Sequence, residues 1–341
     1  MQINNSGYQS ALKPGTEIEP IVVVCSADDN YAMQVAVTGC SVIANLEGDS
    51  KMVLFIIDGG IKDHNKRKIL TSLKSEKCEV RFLPIPDSFL GDDITTINKS
   101  LGPDGKTIAK YISIATFFRM LIPDLLPLEV KKAIYLDCDL VVRGNLEELW
   151  QVDLGENYVL AAQDTWIRSV SDPNGLLNYR ELGIPSEAKY FNAGVLVINL
   201  KKWREDKICA EAMNYLRQNR KYIRWHDQDV LNPILAGKWG QLDPKWNFNA
   251  HSFYEHSSGD YLSWKDSESP FPEGVYNDLV RNPCIVHFAS EKKPWNSRHT
   301  PRKEDFFQYV DMTEWSGWRL TIWRRLWRRL VYKAKTVMSR I

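Results

Sequence analysis

Five short apolar runs, spaced by stretches of helical periodicity, decide what this chain can fold into. They are Ile21-Val22-Val23-Val24-Cys25, Met52-Val53-Leu54-Phe55-Ile56-Ile57, Val80-Arg81-Phe82-Leu83, Ala133-Ile134-Tyr135-Leu136 and residues 191–198. Continuous apolar runs of about four to eight residues fit strands buried on both faces, as in a parallel sheet. Between the first two, Val35, Gly39, Val42, Ile43 and Leu46 recur at helical spacing, and a second helix holds Ile69, Leu70 and Leu73. Helices are also expected around 112–121 and over 206–220 and 227–236. Strands alternating with helices predict an α/β layered sheet. Polar stretches at 87–107 and 165–185 read as long loops, which are uncommon unless functional. The aromatic-, Pro- and Ser-rich segment 243–283 yields few elements.

Charge divides the chain unevenly. The 341 residues hold 44 Lys and Arg against 43 Asp and Glu, a net charge of +1. From Trp315 onward there are 8 basic residues and no acidic one, so the rest carries 36 against 43, or −7. An acidic body with a basic tail asks for an anionic partner at the tail. The body shows no nucleic-acid-binding face. Six scattered cysteines, with no CxxC pair, fit reduced thiols that pack as small hydrophobes. The first twenty residues are polar, with no apolar stretch of the secretory kind, and no run reaches the ~20 apolar residues of a membrane span.

Chemistry concentrates at Asp137-Cys138-Asp139, which closes the apolar run at 133–136. Two carboxylates one residue apart at the end of a buried strand repel each other unless a cation lies between them. Oxygen ligands of this kind suit Mg2+ or Mn2+, and the carboxyl ends of strands in an open α/β sheet form the ligand crevice. The plainer alternative has one Asp capping a turn and the other exposed.

Further segments occur in fixed order: Ala27-Asp28-Asp29-Asn30-Tyr31 after the first strand; Tyr190-Phe191-Asn192-Ala193-Gly194-Val195; Asn199-Leu200-Lys201-Lys202-Trp203-Arg204; Asp227-Gln228-Asp229-Val230-Leu231-Asn232; and His287 followed by Lys292-Lys293-Pro294-Trp295. With Asp137-Cys138-Asp139 they resemble glycosyltransferase family 8, the group of bacterial lipopolysaccharide α-galactosyl- and α-glucosyltransferases, general-stress glycosyltransferases and glycogenin. The resemblance spans roughly residues 21–310.

It implies a GT-A-type, Rossmann-like nucleotide-sugar-binding α/β fold with a mixed central sheet, and a UDP-sugar donor used with Mn2+ (or Mg2+). Asp137, Asp139 and His287 fall on the family's metal-ligand positions, and Lys293 on a diphosphate contact. Ser26, Ala27, Asp28, Asp29, Asn30 and Tyr31 match the loop holding uracil and ribose; Arg119, Cys138, Asn192, Ala193 and Ser290 match other donor-site positions. Gln228 takes the place of a nucleophile beneath the anomeric carbon, where an amide is a poor one. The family retains anomeric configuration, which then implies front-face substitution, with Gln228 stabilising the oxocarbenium-like state and Asp227 and Asp164 orienting sugar hydroxyls. Tyr111, where the galactosyltransferases carry His, and Ser290, where a Gly is usual, depart from the pattern. A glycan or lipid-linked acceptor is implied; a nucleotide-sugar hydrolase or self-glucosylating protein and a non-catalytic UDP-sugar sensor are the competing readings.

The chain divides into a polar leader (1–20), a catalytic domain (21–310) and a tail (311–341). In the tail Trp318, Leu320, Trp323, Leu326, Trp327, Leu330, Val331 and Ala334 recur at helical spacing among Arg324, Arg325, Arg328 and Arg329. That pattern predicts a C-terminal basic amphipathic helix lying on an anionic membrane through residues 315–341; docking on the acidic body is the alternative, and a nucleic-acid anchor fits less well. The expected location is cytoplasmic, peripheral on the inner face of the cell membrane.

Overall fold

A computed structural model describes residues 19–86, 114–252 and 273–324. Its centre is a seven-stranded sheet of β1 (Ile21–Ala27), β2 (Met52–Asp58), β3 (Cys78–Pro84), β4 (Lys132–Leu136), β6 (Val159–Gln163), β7 (Phe191–Asn199) and β8 (Trp239–Gln241), in the order β3-β2-β1-β4-β7-β6-β8. β1 pairs in parallel with β2 and β4, and β2 with β3. β7 runs antiparallel to β4 and β6, so the sheet is mixed.

The unbroken apolar run of β1 follows from burial on two faces. Val22 and Val24 join one core with Phe117, Phe118, Trp203 and Val230. Ile21, Val23 and Cys25 join another with Val35, Ile69 and Leu73, from helices α1 (Ala32–Asn45) and α2 (Asp63–Ser72). Burying each such side chain stabilises the fold by about 1.5–3 kcal/mol. On the opposite face lie a 3-10 stretch (Ile114–Leu121) running into α3 (Ile122–Leu125), then α5 (Leu200–Glu205), α6 (Ile208–Gln218) and α7 (Gln228–Ile234); α4 (Leu146–Trp150) lies in sequence between them.

A second, three-stranded sheet stands beside the first. β5 (Leu140–Val142) pairs antiparallel with β10 (Ile285–His287), and β10 pairs in parallel with β9 (Phe248–Asn249). The free edge of β5 would leave backbone groups unpaired in a dry interior, a costly state. Polar residues on α1 close it. Thr38 donates to Leu140 O (3.0 Å), Ser41 accepts from Val142 N–H (2.9 Å), and Asn45 donates to Val142 O (3.1 Å). Their spacing of three and four puts them on one helical stripe.

Helices α8 (Glu273–Arg281) and α9 (Lys303–Val310) follow. A third core joins Val141, Phe248 and Val286 of the small sheet to Phe306 and Tyr309, with Trp315 and Trp318 packed against it. Trp318 stacks on Phe307 at 6.5 Å, and Arg319 pairs with Asp311 at 2.6 Å. Residues 315–321 are therefore turns and extended chain against the body, not the start of the expected helix; helical conformation begins at Ile322. The rest of that helix, the 87–107 loop and Tyr111 lie outside the described residues. Among the described residues no helix is long and apolar enough to cross a membrane, and all six cysteines are free thiols. Segment 165–185 packs on itself around Ile167, Val170, Leu176 and Tyr190.

Ser41 is fully buried, accepts from Val142 and donates to Thr38 O (2.7 Å). Ser41→Ala leaves that buried amide without an acceptor and should cost about 1–3 kcal/mol, read as a lower denaturant midpoint with unchanged slope.

Candidate active site

The sheet order places the site. The chain lays β2 and β3 on one side of β1 and returns to the other side with β4. That switch opens a crevice beyond the carboxyl ends of β1 and β4. Loop 26–31 leaves β1 there, and Asp137-Cys138-Asp139 leaves β4. The three residues are also the joint between the sheets. Asp137 N–H still bonds to Gly194 O of β7 (2.9 Å), while Asp139 O already accepts from Phe288 N–H beyond β10 (2.9 Å).

His287 ends β10 opposite Leu140, which brings its ring over the joint. Its Nε2 lies 3.1 Å from Asp139 Oδ1 and 3.8 Å from Asp137 Oδ2. One ligand atom from each of Asp137, Asp139 and His287 falls within 4.8 Å of the others, the one such group among the described residues. Two hard oxygens and one imidazole suit Mn2+ or Mg2+. Gly194 lets them approach: a Cβ there would sit 2.3 Å from His287 Cε1 and 3.0 Å from Asp137 Oδ2.

Two cations serve these carboxylates. Lys293 Nζ contacts Asp139 Oδ2 and donates to Phe288 O at 2.7 Å. Arg119 is buried, donates to Asp137 Oδ1 at 2.8 Å and to Ala193 O, lies 2.7 Å from Asp227 Oδ2, and sits 4.5 Å from the Tyr135 ring centroid. Burial would raise the Asp139 carboxyl, but Lys293 and His287 outweigh it and hold it well below the usual range. Arg119 must serve both Asp137 and Asp227. Burial, with repulsion from Asp137, pushes Asp227 up to about 7 against the pull of Arg119. Three carboxylates share two cations, and the most deeply buried one, Asp227, holds its proton to higher pH than an ordinary carboxylate.

A second group of expected residues meets beside these. Asp164 follows a register shift in the β6–β7 pairing, the kind of bulge that re-aims a side chain. Its Oδ1 accepts from Trp166 and Ile167 N–H (2.7 and 3.0 Å), and its Oδ2 from Asn192 and Gln228 (2.9 and 3.1 Å). Gln228 Oε1 accepts from Ala193 N–H (2.9 Å). His226, just before Asp227, has φ of 55°, a strained value for a non-glycine residue and frequent at functional sites.

Some expected donor residues are engaged elsewhere. Asp29 braces the loop, accepting from Lys62 N–H (3.0 Å) and Asn65 (2.7 Å). Asp28 caps the turn at Asn30 N–H (2.9 Å). The Cys138 thiol points back to Ser26 O (3.3 Å), and Ser290 Oγ accepts from Lys292 N–H (3.0 Å) inside its own loop. Tyr31 turns inward, edge-on to Trp295 at 6.0 Å; burial, then Asp139, raises its hydroxyl well above the usual range. Arg204 and Asp229 are structural. Arg204 donates to the carbonyls of Pro123 and Val130 (2.8 and 2.7 Å), and Asp229 accepts from Tyr190 OH (2.7 Å) and Arg224 N–H (2.6 Å). Sequence reasoning missed Tyr135, which donates to Asp137 Oδ1 (2.8 Å), and Asn247, which accepts from His287 Nδ1 (2.8 Å). The hint for Asn247 was a lone amide between two aromatics.

Residues 22–299 match the family described as Glycosyl transferase family 8, and the chain belongs to it. General stress protein A of Bacillus subtilis is 30% identical over 299 residues, 86% of this chain and 94% of that protein. The lipopolysaccharide 1,3-galactosyltransferase of Salmonella typhimurium is 30% identical over 212 residues, 59% of this chain and 56% of its own. The crystal structure of the galactosyltransferase LgtC with donor and acceptor sugar analogs superposes with a TM-score of 0.68 at 26% identity, covering 86% of this chain and 96% of that one.

The burial of Asp227 has a pH consequence. Asp227 in the folded chain holds its proton up to about 7, whereas an unfolded Asp releases it near ~3.9. Its contribution to stability is full below about pH 4 and is lost as pH rises through about 7. The melting-temperature difference between wild type and Asp227→Asn should therefore fall across that window in metal-free protein; a flat difference would contradict the assignment.

Proposed function

We propose that this family 8 glycosyltransferase moves a hexose, glucose or galactose, from a UDP-sugar to a glycan or lipid-linked acceptor, with retention of anomeric configuration and with Mn2+ (or Mg2+) bound at Asp137, Asp139 and His287. The observation that carries the reading is the meeting of those three ligand atoms within 4.8 Å at the switch point of the sheet. A divalent ion there would offset the charge that builds on the diphosphate as the glycosidic bond breaks. Lys293, already against Asp139 and beside the same space, is placed to add a second positive charge to the leaving group.

The polar network around Asp164 supports the front-face route. Both ends of the Gln228 amide are engaged, by Ala193 N–H and by Asp164. That fixes its carbonyl oxygen without making it a nucleophile, and a lone pair remains for positive charge at the anomeric carbon. Asp164 and Asp227 lie next to it in the role of hydroxyl acceptors. Asn192 and Arg119 hold the same wall of the site.

Ile322 and Trp323, 59% and 80% exposed, lead into the basic residues that follow, and they support attachment to an anionic membrane surface through the tail. Trp315 and Trp318 belong to the body, so the membrane-directed part begins beyond them.

Release of UDP, followed across UDP-glucose, UDP-galactose and their N-acetyl forms, tests the chemistry. Turnover should vanish with chelator, return with Mn2+, and fall by at least about 100-fold in Asp139→Asn. Turnover indifferent to chelator would remove the metal from the reading, and mass gain on the chain itself would mark self-glycosylation. For the tail, deletion of 325–341 spares the packed Trp315 and Trp318. It should abolish co-sedimentation with anionic vesicles while leaving UDP release to a soluble acceptor intact; undiminished co-sedimentation would sink the membrane assignment.

A further inference from the structure

One chain of hydrogen bonds runs from the sugar side of the site to the metal side. Asp164 Oδ2 accepts from Asn192 Nδ2 (2.9 Å). Asn192 Oδ1 accepts from Asn247 Nδ2 (2.9 Å), and Asn247 Oδ1 faces His287 Nδ1 (2.8 Å). Hydrogen positions in such chains are ordinarily a matter of assignment. Here the direction of every link is forced.

The start is fixed by Asp164. It is buried, and its other oxygen takes two backbone N–H groups, from Trp166 and Ile167. An ionised carboxylate only accepts, so Asn192 must present its NH2 to it. A second clamp gives the same answer: Gly194 N–H, a donor that cannot be reversed, bonds to Asn192 Oδ1 at 3.0 Å. With that oxygen facing Asn247, the Asn247 amide must donate its NH2 and turn its own oxygen to the imidazole. Only a protonated Nδ1 can meet that oxygen. Nδ1 is thus committed to Asn247, and Nε2 is the nitrogen left to face Asp139, Asp137 and a cation placed between them.

We infer that Asp164, through Asn192 and Asn247, sets the tautomer of His287 and thereby makes its Nε2 a ready metal donor, with Asn247 as the positioning residue that passes the setting on. The inference rests on the metal part of the proposed function. Outer partners that fix a ligand imidazole in this way commonly govern metal affinity. The same Asp164 oxygen also accepts from Gln228 (3.1 Å), so one carboxylate orients the amide near the sugar and, three residues away, the imidazole that holds the metal.

The neighbouring alternative is an Nε2–H directed at Asp139 Oδ1, only 3.1 Å away. It would leave Nδ1 and Asn247 Oδ1 opposed as two acceptors in a buried space, whereas the opposition of Nε2 and Asp139 Oδ1 in the other tautomer is the one a cation between them relieves. The relay excludes the Nε2–H form as long as Asn247 keeps its orientation.

Nitrogen-15 NMR of the imidazole in metal-free full-length protein at alkaline pH reads the tautomer directly. Wild type should show a protonated Nδ1 and an unprotonated Nε2 at His287. In Asn247→Ala the pattern should shift toward Nε2–H, and Mn2+ affinity, measured by electron paramagnetic resonance, should weaken by about 10–100-fold; Asp164→Asn, in which Gly194 N–H still holds Asn192 Oδ1, should shift both by less. A purely structural role would not move the nitrogen signals. The wild-type spectrum needs no variant to fold. An Nε2–H tautomer in a wild-type chain that binds Mn2+ would overturn the relay alone, as would unchanged signals and affinity in both variants. A wild-type chain that binds no Mn2+ would overturn the reading of the site on which the relay depends.

Discussion

Two backbone hydrogen bonds, made two residues apart, commit the chain to two different sheets. Asp137 gives its N–H to Gly194 in the large sheet, and Asp139 takes the N–H of Phe288 beside the small one. No side chain could stand in for that arrangement. It puts two carboxylates at the seam where β4 ends and β5 begins, within reach of a histidine that only β10 can deliver. The burial of Arg119, the missing side chain at Gly194 and the clasp of α1 on β5 all serve to keep the seam closed.

Electrostatics explains why so many polar groups crowd one place. Three carboxylates beside two cations, largely out of water, leave an excess of negative charge. The protein meets it in two ways: burial that raises the proton affinity of Asp227, and a space bounded by Asp137, Asp139 and His287 in which a divalent cation is well matched. The imbalance is itself an affinity for positive charge. It is also why Lys293 leans on Asp139.

The large features were legible in the sequence because they depend on burial, which leaves a pattern. β1 and β2 read as unbroken apolar runs since both faces are covered, and the joint at 137–139 announced itself as charge at the end of such a run. Strands of two or three residues, such as β5, β8 and β9, carry no periodicity, so the small sheet was invisible, and with it the reason His287 arrives at the site. Side-chain direction was hidden too. Neighbouring residues in a loop face different ways, and Asp28, Asp29 and Cys138 make hydrogen bonds that brace their loops. Trp318 fitted a helical stripe by spacing, yet the uncovered flank of α9 claimed it first.

The stripe of Thr38, Ser41 and Asn45 along α1 has a mechanical meaning. The helix starts directly after Tyr31 and is bolted at mid-length to Leu140 and Val142. It is a stiff strut joining the turn that follows β1 to the strand that follows Asp139. A rigid strut tied in this way fixes the spacing between the two halves of the crevice. The turn at one end of α1 and the strand that follows Asp139 are thereby set by one and the same helix.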